Sequence, residues 1–249
     1  MSAVRPIALA MLALVAAACS ESSAATRRLT VFAAASLEPA FDALATEFEE
    51  RHPAVEVALH CAGTPRLVLQ LREGAAADVF ASADEVSMQR IEELGLLGST
   101  AQVFARNHLT IVTRPGNPKG IRELADLARD DLRVLLCGPE VPAGRYARSA
   151  LTGAGVNTRS VSDEPNVNAV LGKLRLGEVD AGIVYATDAV HAAPDIDAVA
   201  IAPAHDVSCT YPIAVLRAGG SSEFGEAFVA FIGSADGQAI LRDFGFAAP

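Results

Sequence analysis

Apolar positions along this chain switch repeatedly between a strand-like run and a helical period. Leu29-Thr30-Val31-Phe32 is a β-branched and aromatic run that reads as a buried parallel strand. Beyond three alanines, Leu37, Ala40, Phe41, Leu44, Ala45 and Phe48 recur at i, i+3, i+4 and predict a helix with Ser36 as N-cap. The strand-like stretch 54–60 is followed by Thr64-Pro65 and a helix carrying Arg66, Leu67, Leu69 and Leu71, a capping hydroxyl with proline at the first helical position. After the strand 132–137, Pro142-Ala143-Gly144 opens a helix bearing Tyr146, Ala147, Ala150 and Leu151. Past Pro165-Asn166 another runs from Val167 through Val170, Leu171 and Leu174 to Gly177.

The remaining pattern continues the alternation. Helices are expected at 85–94, 121–128, 223–232 and 235–243, and strands at 109–113, 181–185, 198–201 and 211–217. Such a sequence of elements predicts an α/β fold with mostly parallel sheets. Asp84 is expected to cap the helix at 85, Asp78 to be structural, and the five histidines share no ligand spacing.

Four strand-to-helix joints of this kind carry a chemical implication. A helix N-terminus presents unpaired N–H groups and a partial positive charge, which together favour an anion. One such joint is an ordinary connection. Four of them, with no matched acid, base or metal ligand, suggest a cradle for a fully ionised oxyanion. The net charge of −10 excludes steering by the overall field, so affinity must come from local, desolvated donors. The same charge and the lack of a basic run argue against nucleic acid.

The first residues read as targeting rather than fold. Arg5 precedes an apolar run from Pro6 to Ala18, too short to span a bilayer comfortably, which is the pattern of an export signal. Cys19 follows Ala16-Ala17-Ala18 and precedes Ser20, Glu21, Ser22 and Ser23, as at a lipoprotein processing site with a polar tether. The expected divisions are a signal peptide over 1–18 and a lipidated tether over 19–27, the alternative being cleavage by an ordinary signal peptidase. The later cysteines, Cys61, Cys137 and Cys209, are odd in number and are expected as buried free thiols.

VFAAASL, AADVFASAD (76–84), PEVPAG (139–144) and DAGIVYATDA (180–189) stand in an order that resembles the periplasmic molybdate-binding proteins of ABC transporters. The resemblance runs from about Arg28 to the C-terminus. It implies a two-lobed periplasmic-binding-protein fold (type II), with lobe one over 28–106 plus 216–249 and lobe two over 107–215. It also implies a monomer that hands an oxyanion to the permease subunits; the Cys19 pattern would hold it outside the cytoplasmic membrane by its lipid.

Carried over residue by residue, the family site falls on Ser36 and Thr64, each giving a hydroxyl and a backbone N–H. Ala143 and Val167 would give backbone N–H groups, and Tyr185 its phenolic O–H. Thr64-Pro65 departs from the family pattern, because proline removes the next amide. No catalytic residue and no resident cofactor are implied, and any metal would be touched only through molybdate oxygens. None of the five positions is acidic, so the expected ligand is a proton-free dianion: molybdate or tungstate, with sulfate as the alternative. Two other classes fit less well. A hydrolase using Ser36 lacks a GxSxG elbow and a placed base. An effector-sensing regulator would need a DNA-binding segment ahead of it.

Overall fold

A computed structural model describes residues 26–220 and 222–249, and in it the alternating pattern builds two five-stranded sheets. The first sheet has the order β2-β1-β3-β10-β4: β1 (Arg27–Ala34), β2 (Val55–Ala62), β3 (Val79–Ala81), β4 (Gln102–Asn107) and β10 (Cys209–Val215). The second has the order β7-β6-β8-β5-β9: β5 (Leu109–Thr113), β6 (Val134–Cys137), β7 (Ser160–Glu164), β8 (Ala181–Tyr185) and β9 (Asp197–Ala200). Each sheet with its helices is one lobe of a two-lobed α/β fold, as the type II binding-protein resemblance implies.

The helices follow the 3.6-residue apolar period. Helix α1 (Glu38–Arg51) buries Ala40, Phe41, Leu44, Ala45 and Phe48. In α2 (Thr64–Arg72) the buried face is Thr64, Leu67 and Leu71, and α3 (Glu85–Glu93) begins at Asp84, whose carboxylate accepts the Ser87 N–H. Lobe two holds α4 (Pro142–Gly153), α5 (Val167–Arg175) and α6 (Ala186–Ala192). The last pair, α7 (Ser222–Gly233) and α8 (Ala235–Asp243), returns to lobe one, where Phe228 meets Phe48 edge-on at 5.1 Å.

Both sheets are mixed rather than mostly parallel. In lobe one β1 runs parallel to β2 and β3, while β10 is antiparallel to β3 and β4. In lobe two β6 runs parallel to β7 and β8, while β5 is antiparallel to β8 and β9. The antiparallel strands are those flanking the crossovers, where the chain leaves a sheet and must re-enter it reversed. The chain crosses at His108, between β4 and β5, and returns between Ala200 and Cys209. The return expected at 212–216 would place β10 in lobe two; its ladder with β3 and β4 ties it instead to the first sheet.

Four elements escaped the sequence reading: β3, β4, β7 and α6. The signal-peptide and Cys19 expectations fall outside the described residues, and of the expected tether only Thr26 and Arg27 are described, Arg27 opening β1. Among the described residues no helix is long and apolar enough to cross a membrane. Cys61, Cys137 and Cys209 are all unpaired, and burial pushes the Cys61 thiol up to about 12.

Candidate functional site

Four chain segments converge on the cleft between the lobes, each at the carboxyl end of a strand, where open α/β sheets place their ligands. From lobe one come the β1–α1 joint with Ser36 and the β2–α2 joint with Thr64. From lobe two come the first turn of α4 with Ala143 and the first turn of α5 with Val167. Tyr185 closes β8 and adds its ring to the same wall. All five positions that the sequence singled out line one narrow cleft of about 20 Å³. All five are nearly inaccessible, between 1% and 5% exposed.

Two caps differ from the sequence reading. Ser36 is not the N-cap of α1. It sits inside a short 3₁₀ turn, Ala35–Leu37, and its Oγ lies 3.2 Å from Tyr211 Oη rather than on a backbone amide. Thr64 is likewise the first residue of α2, with Gly63 as the cap and Pro65 behind it. Neither hydroxyl is therefore spent on its own helix. The first-turn N–H groups of Thr64, Ala143 and Val167 have no intrahelical carbonyl to meet, as at any helix start.

Glycines allow the close approaches that the cleft requires. Gly144 packs the first turn of α4 on the end of β6; a Cβ there would lie 2.1 Å from the Gly138 carbonyl oxygen. Gly63 serves the other direction, since its Cβ would meet the Pro165 oxygen of the opposite lobe at 2.2 Å. The two lobes are therefore closed on one another. Asn168 Nδ2 donates to Glu38 Oε2 across the seam at 3.3 Å, and Arg90 donates to Glu140 at 3.2 Å.

The electrostatics of the cleft are those of a neutral donor set. No lining residue is charged. The charged group at its mouth, Arg145, is committed to Asp84, whose Oδ2 accepts from its Nε at 3.0 Å and again from its terminal nitrogen. Tyr185 Oη is buried and has no hydrogen-bond partner, an orphaned donor on a residue that lines the cleft. Burial, and after it the neighbouring Tyr211, raises the Tyr185 phenol well above its usual value, so it keeps its proton. Behind the cleft Asp188 is also buried, which pushes its carboxyl up to about 8 against the lowering effect of the Tyr185 N–H it accepts at 3.1 Å. Among the described residues no cluster of histidine, cysteine or carboxylate side chains could hold a metal ion.

Two residues beside the cleft were missed by the sequence reading, Tyr211 and Asn107. They sit on crossover strands and reach the site only through tertiary packing, so no local spacing marks them. A match of residues 29–247 to the family model for bacterial extracellular solute-binding proteins accounts for the arrangement. The chain belongs to that family. The molybdate-binding protein ModA of Mycobacterium tuberculosis is 41% identical over 223 residues, spanning 90% of this chain and 85% of its own length. Among solved structures, the periplasmic molybdate-binding protein of Azotobacter vinelandii superimposes with a TM-score of 0.77 at 19% identity, covering 89% of this chain and 99% of that one. The sulfate-binding protein SubI of Mycobacterium tuberculosis superimposes with a TM-score of 0.79 at 20% identity, covering 89% and 87%. At those identities the two structures speak for the fold alone. In this solute-binding protein the cleft is the only place where all four helix-opening joints meet a buried donor with no partner, among the described residues.

Proposed function

We propose that this solute-binding protein captures a proton-free tetrahedral dianion, molybdate or tungstate, between its lobes and delivers it to an ABC permease. The observation that carries the reading is the orphaned hydroxyl of Tyr185, a residue that lines one uncharged cleft together with the first turns of α2, α4 and α5. A buried donor left unmade costs free energy, and an anion oxygen is the partner that removes the cost. Ser36 and Thr64 supply hydroxyl and backbone N–H, Ala143 and Val167 supply backbone N–H, and Tyr185 supplies O–H. Bonds from neutral donors to a dianion are charge-assisted and short, and they strengthen in a cleft closed to water.

The lack of an acidic side chain among these positions favours an anion with no proton to donate, which disfavours hydrogenphosphate. Sulfate shares the charge and shape of molybdate and remains the second reading; the choice rests on cavity size. The kinship to molybdate-binding relatives favours molybdate and tungstate. Closure is a population shift: the anion binds the closed form preferentially and thereby raises its share. The permease then reads the closed shape. Nothing at the cleft is arranged for turnover. The bonded neighbour of Ser36 is Tyr211, not a histidine, and a serine without a general base is a poor nucleophile. The Cys19 context supports export and a lipid anchor.

A thermal-shift series tests the reading, because a ligand that binds only the folded form raises Tm. Molybdate and tungstate are expected to raise it strongly at micromolar concentration, with phosphate inert. A rise with sulfate equal to that with molybdate would transfer the protein to sulfate. No rise with any of these anions would overturn the reading.

A further inference from the structure

The reading above requires Ser36 to donate, yet a serine hydroxyl can donate or accept and turns to suit its neighbours. What decides is found two residues deep, at the crossover strands. Asn107 ends β4, and its amide orientation is fixed because Oδ1 accepts the His108 N–H at 2.9 Å. Its Nδ2 therefore faces the other way, where its two hydrogens reach Thr187 Oγ1 at 2.9 Å and Tyr211 Oη at 3.4 Å. Tyr211 thus accepts from Asn107. Its own single proton has one further oxygen in reach, Ser36 Oγ at 3.2 Å.

The Tyr211 ring cannot swing elsewhere. It is fully buried and packed edge-on between Phe104 at 6.4 Å and Phe246 at 5.4 Å. Burial raises its phenol well above the usual value, with Asp188 the next cause, so the proton stays on. In the opposite polarity, Ser36 donating to Tyr211, the phenolic proton would be left without an acceptor in a buried site.

Resting on the oxyanion reading, we infer that Asn107 and Tyr211 form a one-way hydrogen-bond relay that fixes Ser36 as a donor toward the anion. Asn107 donates to Tyr211, Tyr211 donates to Ser36 Oγ, and the Ser36 proton is turned into the cleft. Tyr211 is then a positioning residue that sets specificity without touching the ligand. With Oγ already accepting from Tyr211 and its proton turned into the cleft, Ser36 favours an anion oxygen that carries no proton over the P–O–H of hydrogenphosphate. It also links the crossover strands to the site, since Thr187 on α6 of lobe two shares the same amide.

The test is calorimetric titration of wild type and Tyr211→Phe with molybdate and with phosphate at neutral pH. The phenylalanine keeps the ring packing and removes only the hydroxyl. Molybdate affinity is expected to fall about 10-fold while phosphate, which gives no heat with wild type, gains measurable binding, so the preference narrows at least 10-fold. A change of equal size for both anions, or none, would overturn the relay. If Tyr211→Phe does not fold, Asn107→Ala is expected to narrow the preference in the same way, because the polarity of Tyr211 is no longer set. Wild-type protein that binds neither anion would instead overturn the oxyanion reading, and the relay with it.

Discussion

Arg145 of α4 grips Asp84, the N-cap of α3, across the mouth of the cleft, its Nε 3.0 Å from Oδ2. The guanidinium also donates to Ser87 Oγ and to the Glu140 carbonyl, so it belongs to both lobes at once. Asp84 is 3% exposed, and it is this pairing that lets a carboxylate stay buried beside the proposed anion site. Opening the lobes would separate the two charges and return both to water. The pair therefore acts on the closed form, and its removal should appear in the rate of ligand release.

For Arg145→Ala we expect a loss of about 1–2 kcal/mol, roughly 5- to 30-fold in Kd, carried mostly by a faster off-rate. The arginine side chain is 25% exposed, which keeps the figure below that of a fully buried pair. Stopped-flow release of molybdate checks it. A slower on-rate with unchanged release would contradict a latch.

Gly63→Ala separates folding from closure. The backbone at Gly63 has φ −56° and ψ 132°, a conformation alanine adopts freely, so lobe one should fold unaltered. The added methyl would meet the Pro165 oxygen of the opposite lobe at 2.2 Å. Affinity should drop by more than about 100-fold, or about 2.7 kcal/mol, with the unliganded Tm unchanged. Small-angle scattering should show the variant staying open when molybdate is added.

Removing the Tyr185 hydroxyl should weaken binding without harming the fold. A bond to a charged partner contributes about 1.5–3 kcal/mol, so Tyr185→Phe is expected to lose roughly 10- to 150-fold in affinity. In the unliganded protein the same change deletes a buried donor with no partner, so Tm should hold or rise. A variant that binds as well as wild type would remove Tyr185 from the site.

Stability should depend on pH through Asp188. Its carboxyl is raised from 3.8 to about 8 by burial. Below pH 4 it is protonated in both folded and unfolded chains. Between pH 4 and 8 the unfolded chain gives up the proton that the folded chain keeps. Its share of stability is thus full at low pH and is lost as pH rises through the folded value, at up to about 1.4 kcal/mol per unit. Asp188→Asn should flatten this limb of a Tm-against-pH profile, and an unaltered profile would contradict it.

Much of this was legible in the sequence, and the gaps have physical causes. The run Leu29–Phe32 and the i, i+3, i+4 pattern after it placed β1 and α1, because burial on one face leaves a periodic trace. Strand β3 is three residues long and β7 is largely exposed, so neither carries such a trace. Ser36 and Thr64 were placed at the cleft, but their caps were misread. Hydroxyls at a helix start look alike in sequence whether they serve the helix or the ligand. Ala143 and Val167 line the cleft and would act through backbone, which no side chain announces; only family resemblance marked them. Strand direction in β10 and the placing of Asn107 and Tyr211 behind Ser36 depend on how the crossovers return, a tertiary fact without local signal.

The most direct test is isothermal titration of residues 26–249 with molybdate, tungstate, sulfate and phosphate in turn. The account predicts one molybdate or tungstate per chain, bound tightly, and no measurable heat from phosphate. Absence of binding by any tetrahedral dianion, or phosphate bound as tightly as molybdate, would contradict it.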